Sequence, residues 1–563
     1  MDRIKKIINS RFGFALAANI ITVFVSLVLF RPFWEENDDI AMAILSEGVY
    51  GANDPHLIYS NIIYGKILCA LSAVISPVRW HAVIMYLFVF VTAVAFVYVI
   101  AKDKKGRILS VIFLLSVYYE VYVAAQFSKI AAFIAVMAYM ILFEVVISDL
   151  DIKVKRKLTA TAFIAVTYSH LLRLESFLLA TMIAGLFGIC LVVYQAYMGQ
   201  LRSKIASYCK IFIPVFVLCA LCILADHLPY SSGGWKDYMD YYYAASDLTD
   251  YHFGALSYEK HGDELGKLGI SENDALMLIT YEALDTRTVD PQLLGKISAL
   301  ETKGIGYVNA DLIKAWLKNI YDDIFTFNAV IIGLAALFGV FLPMVCKKKN
   351  RWVYFNGAAI QFTVMIGVLF YYQYSSRWSH RIVYALLITQ LVVLVYTLGR
   401  MDEYDLSTGL ASGIIAVLIF CFIGSRLGNE FEFRNYERYA AHYNEMIGYM
   451  EDNKDRLFIA DVFTMLDYGK YDVFKAAEKG QFDNYVYTDS VFLTNSPVYS
   501  ETLNKYGYSD SFEALMARDD RVILVDNMSP EVELTYCNEH GDGGIYELEQ
   551  VDNVGNMRIY SIR

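Results

Sequence analysis

Long uninterrupted apolar runs constrain this chain more than any other feature. Residues 12–30, 83–101, 211–225 and 352–373 contain no Asp, Glu, Lys or Arg. About 20 apolar residues in a helix cross roughly 30 Å of hydrocarbon, so the runs describe a polytopic membrane protein. The composition agrees: 19% of the 563 residues are charged and 57% are hydrophobic, whereas soluble domains carry about 25% charged residues.

Short basic loops set the topology. They lie at residues 3–11, 102–107 (KDKKGR), 153–157 (KVKRK), 202–210 and 347–351 (KKKNR). The positive-inside rule puts each in the cytoplasm. If both 57–78 and 81–101 crossed, KDKKGR and the loops after it would face outside, so one of the two does not cross. Segment 57–78 is the one: Asn61, Tyr64, Gly65, Ser72 and Ser76 form a polar and small stripe, and Lys66 charges its middle. That pattern suits an interfacial helix, with a second one over 39–50. The expected spans are then 12–32, 81–101, 108–125, 129–147, 158–172, 175–196, 209–225, 323–345, 352–373, 381–398 and 408–425.

The fold class expected is mainly α, with about eleven transmembrane helices, interfacial helices in the first outer loop and a small C-terminal α/β domain. Residues 1–425 form the membrane domain, with outer loops 32–80 and 226–322; residues 426–563 form an extracytoplasmic soluble domain. Short β-branched and aromatic runs at 457–460, 485–487 and 522–525 read as strands, 511–516 as a helix, and 544–563 as a hairpin turning at 553–556. The basic start followed by an apolar stretch without a cleavage site reads as an uncleaved anchor with a cytoplasmic N-terminus.

The net charge of −11 comes from acids clustered outside the apolar runs, which reports topology and gives no sign of nucleic acid. Eight scattered cysteines, among them Cys190, Cys219, Cys222 and Cys421, show neither metal spacing nor a disulfide framework. No phosphate-binding loop, dinucleotide fingerprint or HExxH motif is present.

Chemistry centres on "RPFWEENDD", residues 31–39, where Glu35, Glu36, Asp38 and Asp39 crowd the end of the first span. One reading is capping: Asn37 or Asp38 starts a helix and Asp39 sits in its first turn. The other is catalysis: a carboxylate just outside the membrane is a general base for an acceptor hydroxyl, or a ligand for a divalent cation such as Mg or Mn beside a phosphate.

The motif "ENDD" (Asp38, Asp39), followed by "NDPHLIYSNIIYGKIL", and the layout around it resemble the GT-C-type membrane glycosyltransferases that use polyprenyl-phosphate-linked sugars. The resemblance covers the whole architecture: one helix, an outer loop with paired acids and interfacial helices, many spans, and a soluble C-terminal domain. It implies that Asp38 or Asp39 is the catalytic base and that a sugar is transferred on the outer face. The implied partners are a polyprenyl-phosphate sugar donor, a glycan or lipid acceptor and membrane lipids; the compact loops and the absence of eukaryote-like features point to a bacterial plasma membrane.

Basic residues at the same face would serve a donor phosphate. Lys129 in "QFSK", Arg173 in "RLES", and Arg377 and Arg381 in "SSRWSHR" occupy outer turns. Guanidinium forks pair with phosphate oxygens; the competing use is snorkelling or pairing with Asp38 or Glu175. The aromatic and acidic stretch 234–254 offers Trp235, Asp247 and Asp250 for a sugar, against the bland reading of an interfacial aromatic belt. Residues 270–285 read as a helix capped by Ser271 with Asp274 at its third position.

Two other classes compete. A lipid-linked oligosaccharide flippase or other secondary transporter should carry ionisable residues at mid-membrane, yet the spans are nearly uncharged at their centres, with Glu144 near an inner end. A binding or sensor protein would leave so large a membrane part unexplained.

Overall fold

The computed structural model describes residues 10–280, 282, 285, 290–301, 308–324, 328–346, 351–375, 377–401, 406–461, 464, 473–488 and 492–563. Residues 3–9 and 347–350 of the expected basic loops lie outside them. The protein is mainly helical. Among the described residues eight helices are long and apolar enough to cross a membrane: Arg11–Leu29, Trp80–Ile100, Phe127–Ile147, Leu174–Tyr197, Leu201–Ser231, Phe355–Tyr374, His380–Arg400 and Thr408–Arg434. Helices Lys104–Tyr122, Ile152–Leu172 and Ala329–Cys346 fall at the remaining expected spans.

Helix Phe127–Ile147 is the hub. It packs against Trp80–Ile100, Ile152–Leu172, Leu174–Tyr197 and His380–Arg400, and 94% of its apolar window is buried. A helix that is apolar all round belongs inside a bundle. The outer helices instead present Phe24, Ile213, Phe216 and Phe420 to the surroundings, the side chains expected against lipid.

The first loop forms two helices that do not span. Asp38–Glu47 ends at Gly48, whose φ of 78° is the left-handed conformation that glycine adopts without strain. Ile62–Val74 has 13 residues, about 20 Å of helix, too short to cross. Asn61 caps it, buries Tyr64, Gly65, Leu68 and Ser72 with it, and leaves Lys66 exposed. Gly65 lies so close to the Pro55 carbonyl that any side chain there would collide.

The last membrane helix does not stop near 425. Helix Thr408–Asp452 is continuous for 45 residues. Its backbone hydrogen bonds are internal, so it tolerates the change from lipid to a polar surrounding that hydropathy reads as an end. It leads into a five-stranded sheet. Numbering strands along the chain after the short β1 (Phe33–Trp34) and β2 (Ala124–Ala125), these are β3 (Leu457–Ala460), β4 (Tyr485–Tyr487), β5 (Val522–Val525), β6 (Leu548–Val554) and β7 (Met557–Ile562). Their spatial order is β4-β3-β5-β7-β6, with the first three parallel and β6-β7 an antiparallel hairpin. The strands, the hairpin and helix Ser511–Met516 fall where the sequence pattern predicts them.

A buried ion pair joins the first loop to the C-terminal part. The Arg79 Nε and Nη2 atoms donate to Glu47 at 2.9 and 3.2 Å, with both side chains almost wholly buried. Glu47 also accepts the Ala477 N–H at 3.0 Å, and the Gly480 and Phe482 N–H groups donate to the Gly48 and Val49 carbonyls. Removing one partner of a buried pair strands the other charge, at about 3–5 kcal/mol. Arg79→Ala should therefore lower the thermal midpoint of the detergent-solubilised protein and speed proteolysis near Ala477. Glu47→Met/Arg79→Met should recover part of the loss.

Candidate active site

The acidic loop is fixed by a short parallel ladder. β1 pairs with β2, and the Phe33 and Glu35 N–H groups donate to the Val123 and Ala125 carbonyls at 2.8 and 3.0 Å. This pairing lays the acids against the turn that starts helix Phe127–Ile147. Gln126 caps that helix, its Oε1 accepting the Ser128 and Lys129 N–H groups.

Asp38 and Asp39 are adjacent in sequence and differ in role. Asp39 is 0% exposed. It faces the His81 Nε2 at 3.0 Å and accepts the Phe127 N–H at 3.2 Å. The Phe127 N–H is an otherwise unpaired donor at a helix N-terminus, where a carboxylate is welcome. Burial raises the Asp39 carboxyl above its usual range, opposed by His81 and the Phe127 N–H. Behind it, the Tyr64 hydroxyl and His81 Nδ1 are 3.0 Å apart. Asn37 takes the N-cap position of helix Asp38–Glu47 without a side-chain capping bond, while Asp39 sits in that helix's first turn and accepts the first N–H of a neighbouring helix.

Asp38 remains reachable, with an 18% exposed side chain, and accepts from the Arg381 Nη1 at 2.6 Å. Glu36 lies in the same field: burial raises its carboxyl, Arg381 opposes that, and Asp38 adds to it. The two aspartates face different partners, and of the two Asp38 has the more exposed side chain.

Lys129 is buried and held by Glu35 at 3.0 Å and by Glu120. Asn328 donates to the other Glu120 oxygen at 2.7 Å. Its ammonium therefore holds the acidic loop, a use the sequence expectation of a phosphate contact did not include. Burial raises the Glu35 carboxyl, with Lys129 pulling it back down.

Arg173 pairs with Glu175 at 2.8 Å, donates to the Tyr59 carbonyl at 3.1 Å, and lies over the Tyr59 and Phe127 rings at 5.5 and 5.3 Å. Tyr59 is ringed further by Tyr242 at 6.2 Å and Phe492, stacked at 6.1 Å. Arg377 pairs with Asp250 and lies over Tyr251 at 5.1 Å. The structure therefore gathers Asp38, Arg381 and Arg173 around Tyr59 and Tyr242, and joins Arg377 to Asp250.

Trp235 and Asp247 have other neighbours. Trp235 stacks on His56 at 4.2 Å, which covers one face of its ring. Asp247 lies 3.6 Å from His252. Sequence reasoning missed His81, Glu120, Tyr59, Tyr242 and Phe492. Glu120 carried a signal, as an acid closing an otherwise uncharged stretch, 108–119. Tyr242 lies in the aromatic stretch 234–254 that the sequence pointed to, whereas Tyr59 and Phe492 carried no signal in a chain with 44 tyrosines and 35 phenylalanines.

No family model matches the chain, and no curated protein matches it. Two solved structures are similar to it: ArnT from Cupriavidus metallidurans bound to undecaprenyl phosphate, at 10% identity, and the same protein in the apo state, at 11%. Each match covers 97% of both chains with a TM-score of 0.38.

Proposed function

We propose that the protein is a GT-C-type glycosyltransferase that moves a sugar from a polyprenyl-phosphate-linked donor to a cell-envelope glycan or glycolipid. The observation that carries this reading is Asp38: a reachable carboxylate at a membrane edge, in contact with Arg381 and grouped with Arg173 and aromatic rings. The proposed setting is a bacterial plasma membrane, with the N-terminus cytoplasmic and the Asp38 face and C-terminal part outside.

In the proposed reaction an acceptor hydroxyl gives its proton to Asp38 while its oxygen attacks the anomeric carbon. The bond from that carbon to the phosphate oxygen breaks, and polyprenyl phosphate leaves with the electron pair. Arg381 would meet the leaving phosphate. A guanidinium has five N–H donors, enough to keep Asp38 and take a phosphate oxygen together. Arg173 and Arg377 would supply further donors, and Tyr59 and Tyr242 flat surfaces for the sugar. Asp39 and Lys129 would act as positioning residues, holding the loop that presents Asp38. A Mg or Mn ion at the site would take Asp38 as its ligand from the pair, because Asp39 is committed to His81 and Phe127.

Undecaprenyl-phosphate sugars are the donor panel for the test, with release of free undecaprenyl phosphate as the readout and EDTA, Mg and Mn as separate arms. Asp38→Asn should cut release at least about 100-fold, the lower range for loss of a general base, with an unchanged thermal midpoint. Asp39→Asn should lower the midpoint along with the rate. Full release by Asp38→Asn in a working assay would remove the base assignment.

Arg381→Lys keeps the charge and loses the fork. It should slow release by about 10- to 100-fold, the worth of one charge-assisted hydrogen bond. Arg173→Lys should act mainly on the donor KM. Steady-state kinetics over donor concentration separates the two.

A further inference from the structure

The C-terminal sheet carries a second cluster of ionisable groups, well apart in sequence from the Asp38 loop. β3 and β5 are parallel neighbours in register, Ala460 beside Val525. The next residue on each strand is an aspartate, Asp461 and Asp526. Both sit at the carboxyl edge of the parallel sheet, where open α/β sheets bind ligands. Asp526 accepts the Met528 and Ser529 N–H groups in the turn into helix Pro530–His540. The first turns of that helix bring in Glu533. Glu282 arrives from the long loop between membrane helices, just after helix Glu272–Ile279, its N–H donating to the Met277 carbonyl.

One carboxylate oxygen each from Glu282, Asp526 and Glu533 lies within 4.8 Å of the others. Their exposures are 2%, 0% and 0%, and Asp461 is 2% exposed. Both Glu533 oxygens and Glu282 Oε2 are buried with no N–H or O–H donor beside them, and the contact Glu533 makes is with another acid, Asp526. Asp461 accepts the Thr464 N–H at 2.8 Å, whereas among the described residues no basic side chain forms an ion pair with Glu282, Asp526 or Glu533. Buried carboxylates without donors or counter-charge are costly. Such a group is discharged either by protons or by a cation.

We propose that Glu282, Asp526 and Glu533, with Asp461 beside them, form a binding site for a divalent cation, Ca²⁺ by their chemistry. The donor set is all oxygen, which suits hard cations. Ca²⁺ binds oxygens at about 2.3–2.6 Å, so ligand atoms around one ion lie up to about 5 Å apart, which matches the cluster. Mg²⁺ keeps several waters and demands near-ideal octahedral geometry, and this cluster is closed to solvent. The Glu533 oxygens, aimed among the other acids with no donor beside them, are the feature that capping and turn geometry leave unexplained.

The site staples two parts of the chain. Beside it, Ser271 donates to Glu539 at 2.7 Å, Asn273 to the Val532 carbonyl at 3.0 Å, and Asp274 meets His540 at 2.7 Å. An ion between Glu282, Asp526 at the end of β5 and Glu533 on the following helix would lock the long loop onto the C-terminal part. The inference is independent of the transfer reaction.

The test uses the full-length protein in detergent, stripped with EGTA and dialysed against ⁴⁵Ca²⁺, with thermal unfolding in parallel. Wild type should bind about one Ca²⁺ per chain saturably, at a Kd of about 1 mM or tighter, and unfold at a higher temperature with Ca²⁺ than with EGTA. Glu533→Gln and Glu282→Gln should each weaken binding at least about tenfold, as loss of a charged ligand does, while Asp38→Asn leaves it unchanged. Mg²⁺ should compete poorly. Should Glu533→Gln fail to fold, wild-type binding and Glu282→Gln decide the matter. Wild type that binds no Ca²⁺ saturably, or binding equal to wild type in Glu282→Gln, would overturn the site. A midpoint that rises on acidification and ignores Ca²⁺ would overturn it in favour of shared protons.

Discussion

The Asp39 carboxylate is the contact on which the arrangement of the site depends. It bridges three segments at once: its own loop helix, the start of helix Trp80–Ile100 through His81, and the start of helix Phe127–Ile147 through the Phe127 N–H. Buried carboxylates are tolerated where donors meet them, and here both donors belong to helix beginnings. Fixing Asp39 fixes the direction of its neighbour. Successive residues on a helix project about 100° apart, so an inward Asp39 leaves Asp38 turned toward Arg381. The pair of acids is one device: one residue anchors and the other is presented.

Lys129 extends the same logic. An ammonium with no exposure stands between Glu35 and Glu120, and Asn328 satisfies the far side of Glu120. The ammonium offsets the repulsion between the two carboxylates it bridges, and the loop is pinned on both flanks of Asp38. The acids around Glu533 contrast with this. They are equally buried, yet among the described residues they face one another and no base. One cluster has a base at its centre; in the other, among the described residues, acid faces acid.

Much of the fold was legible in the sequence, for physical reasons that also explain the gaps. Apolar runs and basic loops report lipid and topology directly, and the three short strands stand out by their branched and aromatic residues between turns. The division of labour between Asp38 and Asp39 was not legible, because it turns on His81, 42 residues away, and on a backbone N–H beyond it. Lys129 looked like a free charge at a helix end, since its partners come from two other elements. Trp235 looked like a sugar platform, and its stack on His56 is a tertiary contact that composition cannot show. The continuation of the last helix past 425 was not legible because hydropathy reports the medium, whereas a helix ends where its hydrogen bonding ends.

That continuous helix bears on how the C-terminal part takes part in the site. At 45 residues it extends about 65 Å, far more than a bilayer needs, and delivers the sheet beside the first loop. There the sheet's connections reach the site itself. Phe492 stacks on Tyr59, the next residue's N–H donates to the Tyr238 hydroxyl at 3.2 Å, and the Glu47–Arg79 pair receives Ala477. The ring that Arg173 covers on one side is therefore met on another by a residue more than 400 positions later in the chain. A C-terminal part tethered only by its helix could swing without consequence for Asp38. One that supplies a ring around Tyr59 and holds the helix behind Asp38 through Glu47 couples its own folding to the shape of the site.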